Sequence, residues 1–158
     1  RSPSPRRGEG GGGGGGGVVP AAAPAVFALG ARLQTRGRGT RGRTWAAEPG
    51  NLFLTIAVPM QGIPCPISLF PLRIGTLIAP EIKQLVNPDC TVRLKWPNDV
   101  LIDDKKVCGV LVESELPYLL VGVGVNVARA PAVPQGGGAD AGRPATCLAD
   151  HGAANPLL

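Results

Sequence analysis

Histidine is nearly absent from this chain: His151 is the only one among 158 residues. The four cysteines, Cys65, Cys90, Cys108 and Cys147, stand far apart and form no C-x-x-C pair. With so few ligands at metal-binding spacing, a zinc site is not expected. Scattered single thiols suit a reducing compartment, where they act as small apolar groups. No apolar run reaches membrane-spanning length. No G-x-G-x-x-G opens a helix, so a Rossmann nucleotide fold is not indicated. No internal repeat and no secretory signal is visible, and the sequence does not start with Met. The Arg-rich, acid-poor start reads as the remnant of an organelle-targeting segment or as the product of a truncated reading frame. A cytoplasmic location is expected, with plastid and mitochondrion left open.

What is present is uneven. Residues 1–43 hold eight Arg and one Glu, a net charge of +7. Residues 44–158 hold eight Lys/Arg and ten Asp/Glu, a net charge of −2. The overall +5 is therefore a property of one end. Such an end suits phosphates, whether of a small molecule or of nucleic acid. Eight consecutive glycines, Gly10 to Gly17, cannot bury enough apolar surface to offset their ordering entropy. Residues 1–24 are expected to be a disordered tail, and residues 131–143 a loop. Residues 25–150 would form one folded domain and residues 151–158 a short C-terminal remnant.

Within that domain, Val26 to Leu29 reads as a short strand. Gln34 to Thr44 reads as a loop, because Gly37, Gly39 and Gly42 recur too often for a helix or strand. Asn51 to Val58 alternates as a strand, with Leu52, Leu54 and Ile56 on one face. Ser68 to Val86 carries a helical stripe of Leu72, Leu77, Ile78, Ile82, Leu85 and Val86. Pro80 inside it predicts a kink or split. Thr91 to Trp96 reads as a strand. Val100 to Ile102 and Val107 to Glu113 read as a hairpin joined by residues 103–106. Tyr118 to Val127 is the last strand. The expected class is α+β: a mixed, largely antiparallel sheet with helical structure packed on one face.

Three motifs carry chemistry. In the arginine loop, glycine frees backbone amides to approach an anion, and Arg38, Arg41 and Arg43 offer forked donors. The alternative is an RG-rich RNA-binding segment. Its position between apolar strands and its end in Trp45, a base-stacking residue, favour a built site. In Lys95-Trp96-Pro97-Asn98-Asp99, a lysine at a strand end precedes a turn and a carboxylate. That arrangement suits phosphate chemistry, but taken alone it reads first as a surface lysine before a turn. In Val121-Gly122-Val123-Gly124-Val125-Asn126, alternate glycines clear one strand face for a ligand or for close packing. Gly109 has the same two readings. Asn126 can read an adenine or ribose edge.

The motifs in order, Q-x-x-G-R-G-x-x-G-R-x-W, P-G-N-L, K-W-P-N-D, G-V-L-V-E and G-V-G-V-N-V, resemble the catalytic domain of biotin–protein ligases, within the wider biotin and lipoate ligase fold. The resemblance spans residues 26–150 and ends on Ala145-Thr146-Cys147-Leu148. It implies a two-step activity. Biotin's carboxylate attacks the α-phosphate of ATP, giving biotinyl-5′-adenylate and pyrophosphate. A lysine of a biotin carboxyl carrier domain then attacks the mixed anhydride. The resemblance assigns catalysis to Lys95 and Arg38, and biotin contact to Gln34, Arg38, Gly39, Thr40, Lys95 and Gly109. It assigns nucleotide contact to Arg43, Trp45, Asn98 and Asn126. Mg²⁺ would accompany ATP near Asp99.

The sequence departs from the family in places. Thr40 stands where a second arginine is usual, which predicts a leakier adenylate. No Ser/Thr-Ser/Thr-Asn tripeptide precedes the loop, and neither a C-terminal domain nor a DNA-binding helix-turn-helix is expected. Sheet edges left open would favour a homodimer. Two other readings are a lipoate-type ligase, which the arginine loop and Lys95 motif disfavour, and an inactive fragment whose basic end binds nucleic acid.

Overall fold

A computed structural model describes residues 25–132 and 144–153. The expected N-terminal tail and most of the 131–143 loop lie outside these residues. Six strands form one sheet: β1 (Phe27–Ala31), β2 (Leu52–Pro59), β3 (Val92–Lys95), β4 (Asp99–Ile102), β5 (Lys105–Glu115) and β6 (Tyr118–Val125). Their order is β1-β2-β6-β5-β4-β3, and every neighbouring pair is antiparallel. Among the described residues the one parallel contact is an isolated bridge between Lys106 and Ala145. The fold is α+β, an antiparallel sheet with, among the described residues, one α-helix, α1 (Phe70–Leu85), on one face.

The sheet has two unlike faces, because directly paired residues point the same way. Leu54 pairs with Val123 and Ile56 with Val121. These side chains join Cys108, Val110, Val100, Ile102 and Leu119 in the core beneath α1. Phe70, Ile74, Ile78 and Ile82 complete it from the helix. Opposite, Phe53 pairs with Gly124 and Thr55 with Gly122. Gly109 pairs with both Gly124 and Asp99. This second face has a floor without side chains.

The helix corrects two expectations. It continues through Pro80 as one 16-residue element. The proline removes the hydrogen bond to the Thr76 carbonyl, but Thr76 and Pro80 are both exposed, so water can serve that carbonyl. Leu77 and Leu85, read from sequence as core-facing, are exposed instead. Gly75 turns inward, where a Cβ would lie 3.0 Å from Leu94. The helix thus sits close on the edge strand β3.

The hairpin turn is also tighter than expected. β4 and β5 are joined by Asp103 and Asp104 alone, at φ of 47° and 63°. Two consecutive left-handed residues match the right-handed twist of a two-residue hairpin. Further along, the register shifts between Val100 and Leu101. Asp99 faces Gly109 and Val100 faces Cys108, but Leu101 faces Lys106, so Val107 is the extra, bulged residue.

Candidate functional site

The bulge decides which lysine reaches the glycine floor. Strict alternation from Gly109 would put Val107 on the floor side and Lys106 on the helix side. The extra residue reverses this: Val107 and Cys108 are both in the core, and Lys106 points to the floor. Its Nζ lies 2.6 Å from Asp99 Oδ1. Both side chains are largely buried, with 22% and 14% exposure. The approach is too oblique for a hydrogen bond, so Oδ1 has no aligned donor. Lys106 Nζ also lies 5.2 Å from the centroid of the Trp45 ring, a cation–π distance.

Trp45 lies against the glycine floor. A Cβ on Gly124 would come within 2.6 Å of its ring, and one on Gly109 within 2.8 Å. Real Cβ atoms do not approach so closely, so glycine at both positions is a steric requirement of this arrangement. The Trp45 Nε1 is buried without a partner. Two residues past Gly124, Asn126 is 2% exposed and donates from Nδ2 to the Thr146 carbonyl at 3.0 Å. Its Oδ1 is buried and unpartnered. An unmet buried donor and an unmet buried acceptor therefore sit on one sheet face, each costing about 1–3 kcal/mol.

The arginine loop covers this face as an ordered element. Arg38 bridges Thr44, Gly39 N donates to Arg43 O at 2.7 Å, and Trp45 N donates to Gly37 O at 3.0 Å. Arg41, at φ 60°, makes the reversal. Arg38 Nη2 meets Glu113 Oε2 at 2.8 Å and ties the loop to β5. Both partners are exposed enough that this pair fixes position more than it adds stability. Arg43 bends back onto Thr40, donating to its Oγ1 at 2.8 Å and its carbonyl at 3.2 Å. Thr40 therefore holds Arg43. Gln34 is half-buried, with its Oε1 beside Gly37.

The structure brings together Gln34, Gly39, Trp45, Asp99, Gly109 and Asn126 from the sequence reading on or over one sheet face. Lys95 ends β3 directly opposite Asp99, so it shares that face, and it is half-buried, while the Asp99 carboxylate contacts Lys106. Asn98 donates to the Val110 carbonyl at 2.9 Å, and its own carbonyl receives Val110 N at 2.9 Å. These two bonds splice the turn to β5.

Two residues escaped sequence reasoning. Lys106 lay in the supposed four-residue connection, and its alternation signal pointed to the wrong face. Asn51 was only a letter in P-G-N-L. It is buried, and its Oδ1 accepts from the amides of Val127, Ala128 and Arg129 at 3.0–3.1 Å. Its Nδ2 donates to the Arg129 carbonyl at 2.8 Å. The chain leaving β6 beside Asn126 is thereby fixed.

Residues 26–127 match the model of the Biotin/lipoate A/B protein ligase family. A biotin–[acetyl-CoA-carboxylase] ligase of Mycobacterium tuberculosis is 35% identical over 126 residues, covering 78% of this chain and 45% of that protein. The biotin protein ligase of Leishmania major, solved with biotin, has a TM-score of 0.68 at 35% identity, covering 80% of this chain and 54% of that one. The Aquifex aeolicus biotin protein ligase, solved with biotin and ATP, has a TM-score of 0.63 at 32% identity, covering 78% and 50%. The chain spans about half the length of these relatives.

Proposed function

Since the chain belongs to the biotin/lipoate A/B protein ligase family, we propose that residues 25–150 are a biotin-activating unit that joins biotin to AMP and passes it to a carrier lysine. The observation that carries this reading is the Gly109–Gly124 floor bounded by the Lys106 ammonium. A planar ring, the Trp45 indole, already lies on that floor. A ligand with a flat polar ring would take its place or stack on it. The orphan Trp45 Nε1 and Asn126 Oδ1 would supply one donor and one acceptor.

The first step brings a carboxylate to a triphosphate, so it needs a fixed cation between two anions. Lys106 suits that role better than Lys95, because Asp99 holds its ammonium at the floor. Asp99 is then the positioning residue. As Lys106 turns to the reacting oxygens, it trades one anionic partner for another. Arg38 and Arg43 border the same face from the loop and suit the phosphates. Asp99 does not fit as a Mg²⁺ ligand, since a second cation would lie against the ammonium. Mg²⁺ would enter with ATP, bound to its phosphates.

The carrier would be a biotin carboxyl carrier domain, as the name of the mycobacterial relative suggests. Four free thiols favour a reducing compartment, cytoplasm or organelle interior. Among the described residues no helix is long and apolar enough to cross a membrane. Arg38 is tied to Glu113 of β5, which orders the loop over the sheet face and favours a small-molecule site over a nucleic-acid surface. The sheet edge β1, with Phe27 and Leu29 exposed, supports self-association.

The test is biotin-dependent ATP–pyrophosphate exchange on the purified chain, with lipoate as the competing acid. Exchange with biotin alone supports the reading. Exchange with lipoate alone assigns the other branch of the family, and no exchange from a folded chain overturns activation by this unit.

A further inference from the structure

The fold gathers the only histidine with a cysteine and an aspartate distant from it in sequence. Cys90 lies between α1 and β3, Asp103 in the β4–β5 turn, and His151 in the C-terminal 3-10 turn Ala149–His151. Their ligand atoms all lie within 4.8 Å of one another. Cys90 Sγ is 3.5 Å from His151 Nδ1, and Asp103 Oδ2 is 3.7 Å from the same nitrogen.

The convergence on one ring nitrogen is informative. In a nucleophilic triad, the thiol and the acid engage opposite nitrogens of the imidazole. Here both face Nδ1, while Nε2 lies 2.8 Å from Thr146 Oγ1. The Thr146 hydroxyl reaches towards Asp150 Oδ2 at 3.5 Å. With its hydrogen directed there, Oγ1 accepts from Nε2–H and leaves the Nδ1 lone pair facing Cys90 and Asp103. This is how a metal-binding histidine is oriented: one nitrogen is held by an outer partner and the other is free to bind.

The spacing fits as well. A tetrahedral ion with zinc's usual bond lengths separates a thiolate sulfur from an imidazole nitrogen by about 3.6 Å, and that nitrogen from a carboxylate oxygen by about 3.4 Å. Backbone hydrogen bonds anchor all three ligands, Cys90 and His151 through the shared Asn87. Asp103 Oδ1 accepts from Thr91 N at 2.9 Å, leaving Oδ2 free, and Asp103 N donates to Thr91 O at 3.0 Å. Asn87 N donates to the His151 carbonyl at 2.9 Å, and Cys90 N to the Asn87 carbonyl at 3.0 Å. His151 Nδ1 and the Cys90 thiol are within the partly buried interior, and Asp103 opens to solvent.

We propose that Cys90, Asp103 and His151 form a zinc(II) site with water as the fourth ligand. On binding, the Cys90 thiol releases one proton to solvent and Sγ bonds the ion, while the imidazole stays neutral. The ion clips the C-terminal turn to the connections before β3 and β5. Through Thr146, whose carbonyl holds Asn126, the clip also steadies the glycine face.

The experiment uses the purified full chain, loaded with zinc sulfate or with cobalt(II) as a spectroscopic stand-in. The expected result is one metal per chain retained through desalting. Cobalt should give a thiolate charge-transfer band and the visible bands of four-coordinate geometry. Cys90→Ser should abolish the charge-transfer band, and Cys65→Ser should leave it intact. His151→Gln and Asp103→Asn should each weaken zinc binding at least tenfold. Thr146→Val, which touches no metal, should weaken it by about 10–100-fold. A folded chain that retains no zinc, or a cobalt spectrum unchanged in Cys90→Ser, would overturn the site in favour of a hydrogen-bonded Cys-His-Asp cluster. Should Cys90→Ser not fold, the Asp103→Asn and His151→Gln titrations decide on the same terms.

Discussion

Lys106 and Asp99 meet at 2.6 Å because a single bulged residue, Val107, turns the lysine to the glycine face. This predicts an order of sensitivity among the lysines. Lys106→Ala should reduce biotin-dependent ATP–pyrophosphate exchange by about 10²–10³-fold, the usual effect of removing one preorganised charge donor. Lys95→Ala, on the same face but outside the Lys106–Asp99 pair, should cost about tenfold or less. Equal losses would return Lys95 to the reacting centre. Asp99→Asn should lower kcat more than it raises the KM for biotin, because it acts through the lysine.

The glycine floor makes a steric prediction. Gly124→Ala places a methyl where the Trp45 ring now lies, at 2.6 Å, so the indole must move. In a Trp96→Phe background, where Trp45 is the sole reporter, the fluorescence maximum should shift to the red. Biotin binding should weaken by at least tenfold in the same variant. An unshifted spectrum would mean the indole does not rest on the floor in solution.

Asn51 makes four hydrogen bonds to the chain leaving β6. Asn51→Ala leaves three amides and a carbonyl without that partner, in a part-buried setting. Each neutral bond is worth about 0.5–1.5 kcal/mol, and an unmet buried group costs more. The variant should therefore lose about 2–4 kcal/mol in urea unfolding. A loss below about 1 kcal/mol would show that water replaces the side chain there.

Thr40 holds Arg43 through its hydroxyl and its carbonyl. Thr40→Val keeps the carbonyl and the shape but removes the 2.8 Å contact. The loop should then close less firmly, and free adenylate should appear several-fold faster in a time-resolved release assay. Unchanged release would separate Arg43 from adenylate retention.

Burial pushes the Cys108 thiol up to about 12, against a partial lowering by Lys106. The folded chain therefore keeps that proton while the unfolded chain loses it from about pH 9 upward. Stability from this group is full below pH 9 and falls as pH rises towards 12, by up to about 1.4 kcal/mol per pH unit. Cys108→Ala should flatten the decline between pH 9 and 11. At pH 8, thiol reagents should spare Cys108 and label Cys65 first.

Much of this molecule was legible in short-range chemistry. Alternation located β2 and β6, because a strand between a helix-covered core and a floor shows period two. The Gly122–Gly124 spacing announced a cleared face, since alternate residues on a strand share one side. Glycine and arginine marked the loop before Trp45, and the motif order pointed to the family. What the chain could not disclose along its length were the events between distant segments. Pro80 stays in one helix because its missing bond faces water. Lys106 joins Asp99 on the floor face because a bulge breaks the period-two count. Asn98 donates from its side-chain nitrogen to Val110 of β5. Cys90, Asp103 and His151 are separated by 12 or more residues, and no local spacing hints at their meeting. Packing of the C-terminal turn against two connections set those distances, and only the tertiary structure could do so.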